Sequence, residues 1–518
     1  MKPREEELQD LLEKLAQRDV ENAELRQENA LLRQKIDLLV KRVFGSSSEK
    51  LDPKQLELLL GKDHASSEKE EAPSTSSLLL LPEPEREKRA ARKPRPHRIP
   101  ENLPCIDQII EPEEVKTAPS QWRCIGEEIS EQLDYEPARF LRRRVIRRKY
   151  AHRKDPDAPI TIAPLPPALQ ERCLAAPGLL AQIIVAKFAD HLPLYRQEQI
   201  YRSRHGVEIP RQTMARWLGL CADWLRLVYR EINAQVVAGP YVQIDETPIE
   251  YLAPGNGATK LGYLWVCNRP GAGGQVAFHW HTSRAAACLE KIIPHHFQGI
   301  IQCDGYAGYR SFAHERGESI QLAGCYAHVR RKFYEARQEA PRVAGWLLRQ
   351  IGHLYRIEER LRTVRAGPKL RQAVRASQSR MIHERIHRSL VRLKMRRRYL
   401  PKSGMGSAID YALGLWPALG IYLENGQVEP CNNLVENAIR PTAVGKKNWL
   451  FIGDGETGER SAILYTLVEN CRRLGIDPYA YLRDLLTKLP TLTNRQIKEV
   501  TPAAYARAIQ RPQLAVAS

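Results

Sequence analysis

The chain has 518 residues, 43% of them hydrophobic, and carries 80 Lys and Arg against 61 Asp and Glu, a formal charge of +19. That length and apolar content allow several domains with buried cores, and the charge favours a polyanionic partner, nucleic acid being the simplest. No stretch approaches the roughly 18 uninterrupted apolar residues of a membrane span, the charged N-terminus lacks a signal-peptide core, and ten cysteines without paired spacing fit reduced thiols in a cytosol rather than a disulfide framework.

Residues 5–44 carry a heptad pattern, with Leu8, Leu15, Asn22, Asn29, Ile36 and Val43 at one core position and Leu11, Arg18, Leu25, Leu32 and Leu39 at the other. Asparagine at a core position selects register and two-stranded parallel pairing at a cost in stability. Residues 1–50 are therefore expected to form a leucine-zipper coiled coil and the chain a homodimer, or a higher oligomer built from dimers. A single amphipathic helix packed on its own domain is the alternative, weakened by the two core asparagines and the lack of aromatics. Residues 51–97 read as a flexible basic linker rich in Ser, Pro, Glu and Lys. Its run Arg92-Lys93-Pro94-Arg95-Pro96-His97-Arg98 is either an extended minor-groove arm or a solvated tether.

Residues 98–160 contain a second cationic run, Arg142, Arg143, Arg144, Arg147, Arg148 and Lys149, around Val145 and Ile146. Strand alternation gives it a solvent face on which Arg142 and Arg143 suit phosphate contact; an ordinary charged sheet face is the alternative. Residues 161–236 turn helical, and Gly206 separates two helical stretches as in a helix-turn-helix. There Arg211, Gln212 and Arg216 would lie on a recognition helix anchored by Met214 and Trp217. Three-helix packing without DNA contact stays open beside that reading.

From 237 to 339 the text alternates strands with a helix. Q-I-D-E-T-P-I-E, Gln243 to Glu250, puts Asp245 after the strand formers Tyr241, Val242 and Ile244. Pro248 cannot continue a ladder, so Asp245 is expected where the sheet gives way to a loop. G-Y-L-W-V-C-N and Q-V-A-F-H-W-H follow as antiparallel partners, a helix opens near Ser283, and G-I-I-Q-C-D-G-Y reads as a buried strand ending in Asp304. His328, Arg330 and Arg331 start the next helix, where a histidine can touch a reacting phosphate or relay a proton and arginines can clamp phosphate; structural and solvated roles are the alternatives. Residues 340–430 are helical and very basic, Arg380, Arg385, Arg388, Arg392, Lys394, Arg396, Arg397 and Arg398 among them, and are expected to form an insertion lining a DNA path.

In 431–455, N-N-L-V-E-N-A-I-R-P places Glu436 on a helix capped by Asn432 or Asn433, with Arg440 four residues on to pair with it. Lys446, Lys447, Asn448 and Trp449 follow as cations, an amide and an aromatic suited to DNA, although a buried Trp449 is equally natural. Residues 456–518 read as a helical region packed on the core. Singly, an aspartate after a strand is a turn residue and a helical glutamate a solvated one. Together, three acids on two strands and a helix form the pattern that in-line displacement at a phosphodiester requires, in which two Mg²⁺ or Mn²⁺ ions are held by carboxylate oxygens.

The motifs D-E-T-P, C-D-G-Y-A-G-Y, C-Y-A-H-V-R-R-K-F, N-N-L-V-E-N-A-I-R-P and G-K-K-N-W-L-F-I-G, in this order, closely resemble the DDE transposases of the IS66 insertion-sequence family. The resemblance covers nearly the whole chain. It implies a multidomain α+β/α protein: a coiled coil, a helix-turn-helix-type DNA-binding region, and an RNase H-like catalytic core with a helical insertion. Asp245, Asp304 and Glu436 would be its catalytic, metal-holding triad. Residues 98–160 correspond to the family's small zinc-binding module, but Cys105, Cys124 and His152 fall short of four soft ligands, so no zinc is expected. Cys431 stands where relatives commonly carry an aspartate. The implied activity is cutting and joining DNA at terminal repeats and target, in a bacterial cytoplasm at the nucleoid, with accessory proteins of the same element as further partners. A catalytically silent dimeric DNA-binding protein and a different nuclease on the same core are the other readings.

Overall fold

The computed structural model describes residue 99, residues 103–136, 139–152, 157, 159–253, 258–271 and 274–515. The expected coiled coil of residues 1–50 and linker of 51–97 lie outside the described residues.

The first layer is a sheet built on a long antiparallel hairpin. Strands β1 (Cys105–Ile110), β2 (Trp122–Glu136), β3 (Arg139–His152) and β4 (Thr161–Ile162) are arranged β1-β3-β2 with β4 on β3, and a short helix α1 (Glu113–Thr117) follows β1. Register explains the cationic run, because β3 puts Arg144, Arg147 and Arg148 opposite acids of β2 and leaves Arg142 and Arg143 diagonal to others. Arg142 reaches Glu131 at 2.6 Å, Arg143 reaches Asp134 at 4.0 Å, Arg147 reaches Glu128 at 2.7 Å and Arg148 reaches Glu127 at 3.2 Å. The solvent face expected for Arg142 and Arg143 is thus a cross-strand ladder of opposite charges.

Three helices come next: α2 (Pro177–Phe188), α3 (Leu194–His205) and α4 (Arg211–Val237). Gly206 ends α3 in the left-handed region, φ 64°, a conformation that costs glycine nothing. Met214 and Trp217 are buried, while Arg211, Gln212 and Arg216 are exposed on the first turns of α4. At 27 residues this helix outruns a free-standing module, and Cys221, Ala222, Leu225, Val228, Ile232 and Val236 along one face of its remainder are buried in the common core.

The second sheet has the order β7-β6-β5-β8-β9: β5 (Tyr241–Leu252), β6 (Thr259–Asn268) and β7 (Val276–His281) are antiparallel, while β8 (Gly299–Gln302) and β9 (Ile320–Ala323) are parallel to β5. Helices α5 (Ala287–Ile292) and α6 (Ala307–Arg316) make the two crossovers. One expectation is corrected here. Asp245 sits inside β5, which pairs with β6 as far as Leu252. Pro248 is tolerated because β8 pairs only as far as Gln243, leaving the other edge of β5 open. On that edge Leu252 and Glu250 bond Gly453 and Ile452, and by alternation the nitrogen of Pro248 points the same way.

Period-two alternation also sorts the faces. Val242, Ile244, Ile301 and Cys303 join the core shared with α2 to α4, whereas Tyr241, Ile300 and Ala323 join a second core on the opposite side. That second core is built by α7 (Tyr326–Glu335), α8 (Pro341–Thr363), α10 (Arg380–Met395), α11 (Gly404–Gly414) and α12 (Trp416–Glu424), while a short α9 (Pro368–Val374) and a π-helical turn at Arg375–Ser379 link α8 to α10. The chain then returns in α13 (Asn433–Trp449) and closes with α14 (Gly455–Arg473), α15 (Pro478–Lys488) and α16 (Pro502–Ala515). Thr466 and Asn470 of α14 bond the backbone of Phe278 and Val276, so the free edge of β7 is covered.

The close approach of β5 and β8 depends on Gly299, where a Cβ would overlap the carbonyl of Pro240. Gly299→Ala is expected to destabilise by about 1–3 kcal/mol, the usual cost of overpacking, read as a lower urea midpoint; an unchanged midpoint would mean the strands separate freely.

Candidate functional site

Gln243 and Gln302 are register partners on parallel strands. Asp245 stands two residues further along β5, and Asp304 two residues beyond Gln302, just past the end of β8. Both are half-buried. Burial, then the charges of Glu246, Asp304 and Glu436, push the Asp245 carboxyl up to about 8. Its Oδ1 accepts the N–H of Glu246 at 3.0 Å, and Asp304 Oδ1 accepts that of Tyr306 at 2.9 Å.

Glu246, an acid the sequence reading passed over, lies beside them with only 1% of its side chain exposed. Arg284 Nε donates to its Oε1 at 2.5 Å and the Tyr309 hydroxyl to its Oε2 at 2.6 Å. Burial raises the Glu246 carboxyl above its usual range even so. The same guanidinium lies 3.7 Å from Asp304 Oδ2 and stacks 3.9 Å over the Tyr306 ring. Arg284 therefore ties the buried glutamate to the second aspartate.

Glu436 enters from the first turn of α13, where the helix dipole favours a carboxylate. Its partner is His328 of α7, with Nε2 3.8 Å from Oε1, and among the described residues it makes no ion pair with Arg440, which is exposed. The i, i+4 expectation fails because Glu436 turns inward to the cleft while Arg440 extends into solvent. Asn432 occupies the N-cap position but its side chain makes no cap bond, and Asn433 is exposed. Arg331 is three residues from His328 and so shares its side of the helix, whereas Arg330 lies further round; both are exposed.

A buried amide cluster beneath the acids sets the position of α13. Gln302 Nε2 donates to the carbonyls of Glu429 at 2.7 Å and Gly324 at 2.9 Å, and Gln243 Nε2 donates to Cys431 at 3.1 Å and to Gln302 Oε1 at 2.8 Å. Tyr241 Oη donates to Gln302 Oε1 at 2.6 Å and accepts the Glu429 N–H at 3.1 Å. The two glutamines, each two residues before an aspartate, thus hold the segment that delivers Glu436.

The remaining candidates are spread more widely. Lys446 and Lys447 lie ten and eleven residues along α13 from Glu436, about 15 Å at 1.5 Å per residue, too far to share one phosphate with it. Lys446 bonds the Pro248 carbonyl at 3.2 Å and Asn448 that of His191 at 3.3 Å. Trp449 is partly buried and packs against the core, where a Cβ on Gly445 would meet its Nε1 at 2.8 Å. On α10 the exposed cations differ from those of β3. Lys394 pairs with Asp410 at 3.1 Å, but among the described residues no acid pairs with Arg385, Arg388, Arg392, Arg396, Arg397 or Arg398.

Whether the acids suit a divalent cation can be judged from their surroundings. Asp245, Glu246, Asp304 and Glu436 bring four carboxylates together with Arg284 and His328 as the neighbouring bases, and Glu436 Oε1 is buried without a hydrogen-bond partner. Hard oxygen donors in net negative surroundings fit Mg²⁺ or Mn²⁺. The only trio of His, Cys, Asp or Glu ligand atoms lying mutually within 4.8 Å among the described residues is Cys325, His328 and Glu436, so the three acids do not close on a single ion.

Profiles of known families match most of the chain: residues 172–460 match the Transposase IS66 family, residues 466–503 the IS66 C-terminal element, and residues 31–107 a segment described as Transposase C of IS166 homeodomain. Three proteins of Sinorhizobium fredii (strain NBRC 101917 / NGR234), each named as uncharacterized, are similar over most of their length. Protein y4jD is 34% identical over 78% of this chain and 81% of its own, y4qI 37% identical over 77% and 75%, and y4hP 30% identical over 92% and 88%.

Proposed function

Because the chain belongs to the IS66 transposase family, we propose that it is a DDE-type DNA transposase, cutting at the terminal repeats of a bacterial insertion sequence and joining the freed end to target DNA. The observation that carries the reading is the convergence of Asp245, two residues past the Gln243–Gln302 register pair, with Asp304, just beyond the end of β8, and Glu436 from α13, close enough for both charges to act on the Asp245 carboxyl. The strand order, three antiparallel strands followed by two parallel ones, is what an RNase H-like core requires.

In this reading Asp245, Asp304 and Glu436 would hold the divalent ions, Mg²⁺ or Mn²⁺. The ions, when bound, activate the attacking oxygen and neutralise the leaving one. Arg284 keeps Glu246 in place by a charge-assisted hydrogen bond and attracts Asp304 across 3.7 Å. His328 orients Glu436 and stands within reach of a phosphate lodged beside it. Gln243 and Gln302 fix the approach of the Glu436 helix. No covalent intermediate with the protein is needed.

Three surfaces would bind DNA. The first is the start of α4 with Arg211, Gln212 and Arg216; the second is the end of α13 with Lys447; the third is the unpaired arginine face of α10. Arg142 and Arg143, neutralised by Glu131 and Asp134, are left out. Homodimerisation through residues 1–50 belongs to the same proposal. Incubating the full chain with terminal-repeat duplex, target DNA and Mg²⁺ tests it: joined products that disappear on chelation support the enzyme, and tight binding of ends without products favours the silent DNA-binding alternative.

The contrast between the two basic surfaces gives a second expected outcome. Each lost phosphate contact lowers the slope of log affinity against log salt by about 1. Arg388→Ala should do so and Arg142→Ala should not; equal slopes for both variants would remove α10 from the DNA path.

A further inference from the structure

We propose that Cys325, His328 and Glu436 form a softer cation site that takes a thiophilic divalent ion of the zinc class, and that filling it withdraws Glu436 from the carboxylate centre. Cys325 is the N-cap of α7 and His328 lies three residues on, so both face the same side of the helix start. Glu436 arrives from α13. Their sulfur, nitrogen and oxygen atoms lie within 4.8 Å of one another. A tetrahedral zinc with bonds of about 2.0–2.3 Å needs its ligand atoms about 3.5 Å apart, a contraction that side-chain rotation supplies.

The corner around them is short of partners. Asn432 is wholly buried, and neither its amide oxygen nor its amide nitrogen has a hydrogen-bond partner. His328 Nδ1 and Glu436 Oε1 are buried and unpartnered as well. Orphaned buried polar atoms cost about 1–3 kcal/mol each, so four beside a thiol mark a place that a charged guest would stabilise. The Asn432 N–H already donates to Cys325 Sγ at 3.5 Å, an outer-shell bond of the kind that steadies a metal-bound thiolate. Binding forms an Sγ–metal bond and releases the thiol proton to solvent, with no oxidation.

Donor chemistry separates this site from the aspartates. Asp245 and Asp304 offer only hard oxygens, whereas sulfur and imidazole select zinc-class ions over Mg²⁺. The expectation of no zinc rests on residues 98–160, where Cys105, Cys124 and His152 fall short of four soft ligands; the site proposed here is a different one, joined by a third ligand 108 residues beyond His328 (436 − 328). The consequence for strand transfer rests on the reading of Glu436 as the third acid; the binding itself does not.

The test uses the full chain, stripped with chelator and titrated with Co²⁺. The expected result is a near-ultraviolet thiolate-to-cobalt band that saturates at one equivalent and is displaced by Zn²⁺. Cys325→Ser should remove it, and Asp304→Asn should leave it. His328→Gln, at a half-buried position that spares the core, should weaken Co²⁺ binding by at least the roughly 10–100-fold typical of losing an outer-shell partner. No band, or a band unchanged in Cys325→Ser or in His328→Gln, overturns the site. Mg²⁺-dependent joining without a band would sink the soft site and leave the transposase reading standing, while a band in a protein that joins no ends with any divalent ion would do the reverse.

Discussion

Asp304→Asn lowers strand transfer by roughly 10³-fold or more while leaving terminal-repeat binding intact. The magnitude follows from the several kcal/mol of transition-state charge stabilisation that a bound metal supplies, at 1.36 kcal/mol per factor of ten. Binding is spared because the arginines assigned to DNA stand on α4 and α10, outside the carboxylate cluster. The fold is spared for a different reason. Asp304 lies among like charges, so a neutral amide of the same shape relieves repulsion in the metal-free protein, and the melting temperature should hold or rise. Loss of joining with unchanged melting and unchanged end binding identifies a ligand; loss of all three identifies a structural residue. Joining equal to that of the parent protein would exclude Asp304 from the chemistry.

Glu358→Ala unfolds the helical core of α7 to α12 at much lower denaturant, with a loss of about 3–5 kcal/mol, the cost of leaving a buried charge unpaired. Glu358 and Arg375 are both fully buried and form a two-pronged pair at 2.7 and 2.8 Å. The π-helical turn carries Arg375 inward, and its Nη1 donates to the carbonyls of Tyr422, Asn425 and Val428 at 2.9, 3.1 and 2.8 Å. Arg371 adds bonds to Glu358 at 3.2 Å and to Glu429 at 2.7 Å. Burial alone would raise the Glu358 carboxyl, but the two guanidiniums hold it below its usual range. A depressed carboxyl contributes stability that is complete above its unfolded value and is lost as pH falls through the folded one. Parent and Glu358→Gln stability curves should therefore diverge at neutral pH and approach each other in acid. A loss under 1 kcal/mol at neutral pH would show that the pair is dispensable. Because Val428 and Glu429 precede the segment gripped by Gln302 and Gln243, this pair also steadies the delivery of Glu436.

Much of the site was legible because its signals are local. Alternation around Asp245 and the apolar run before Asp304 are properties of single strands, and the helix of Glu436 declares itself in ten residues. What escaped is non-local. Glu246 reads as a solvent-side neighbour of Asp245, yet its partners Arg284 and Tyr309 lie 38 and 63 residues away. The arginines of β3 look like a nucleic-acid surface until the register with β2 supplies an acid for each of Arg142, Arg143, Arg147 and Arg148. Pro248 implies the end of a strand only if both edges are paired. Strand β9, with four residues, is too short for periodicity to announce, and nothing in the composition of 375–379 foretells a π turn.

The most direct measurement is anomalous diffraction from crystals of the full chain with terminal-repeat duplex grown in Mn²⁺. Two peaks roughly 3.5–4 Å apart are expected, each about 2.0–2.2 Å from oxygens of Asp245, Asp304 or Glu436, with one aspartate touching both. Peaks that leave Asp245 or Asp304 unligated in that complex would contradict a shared carboxylate centre.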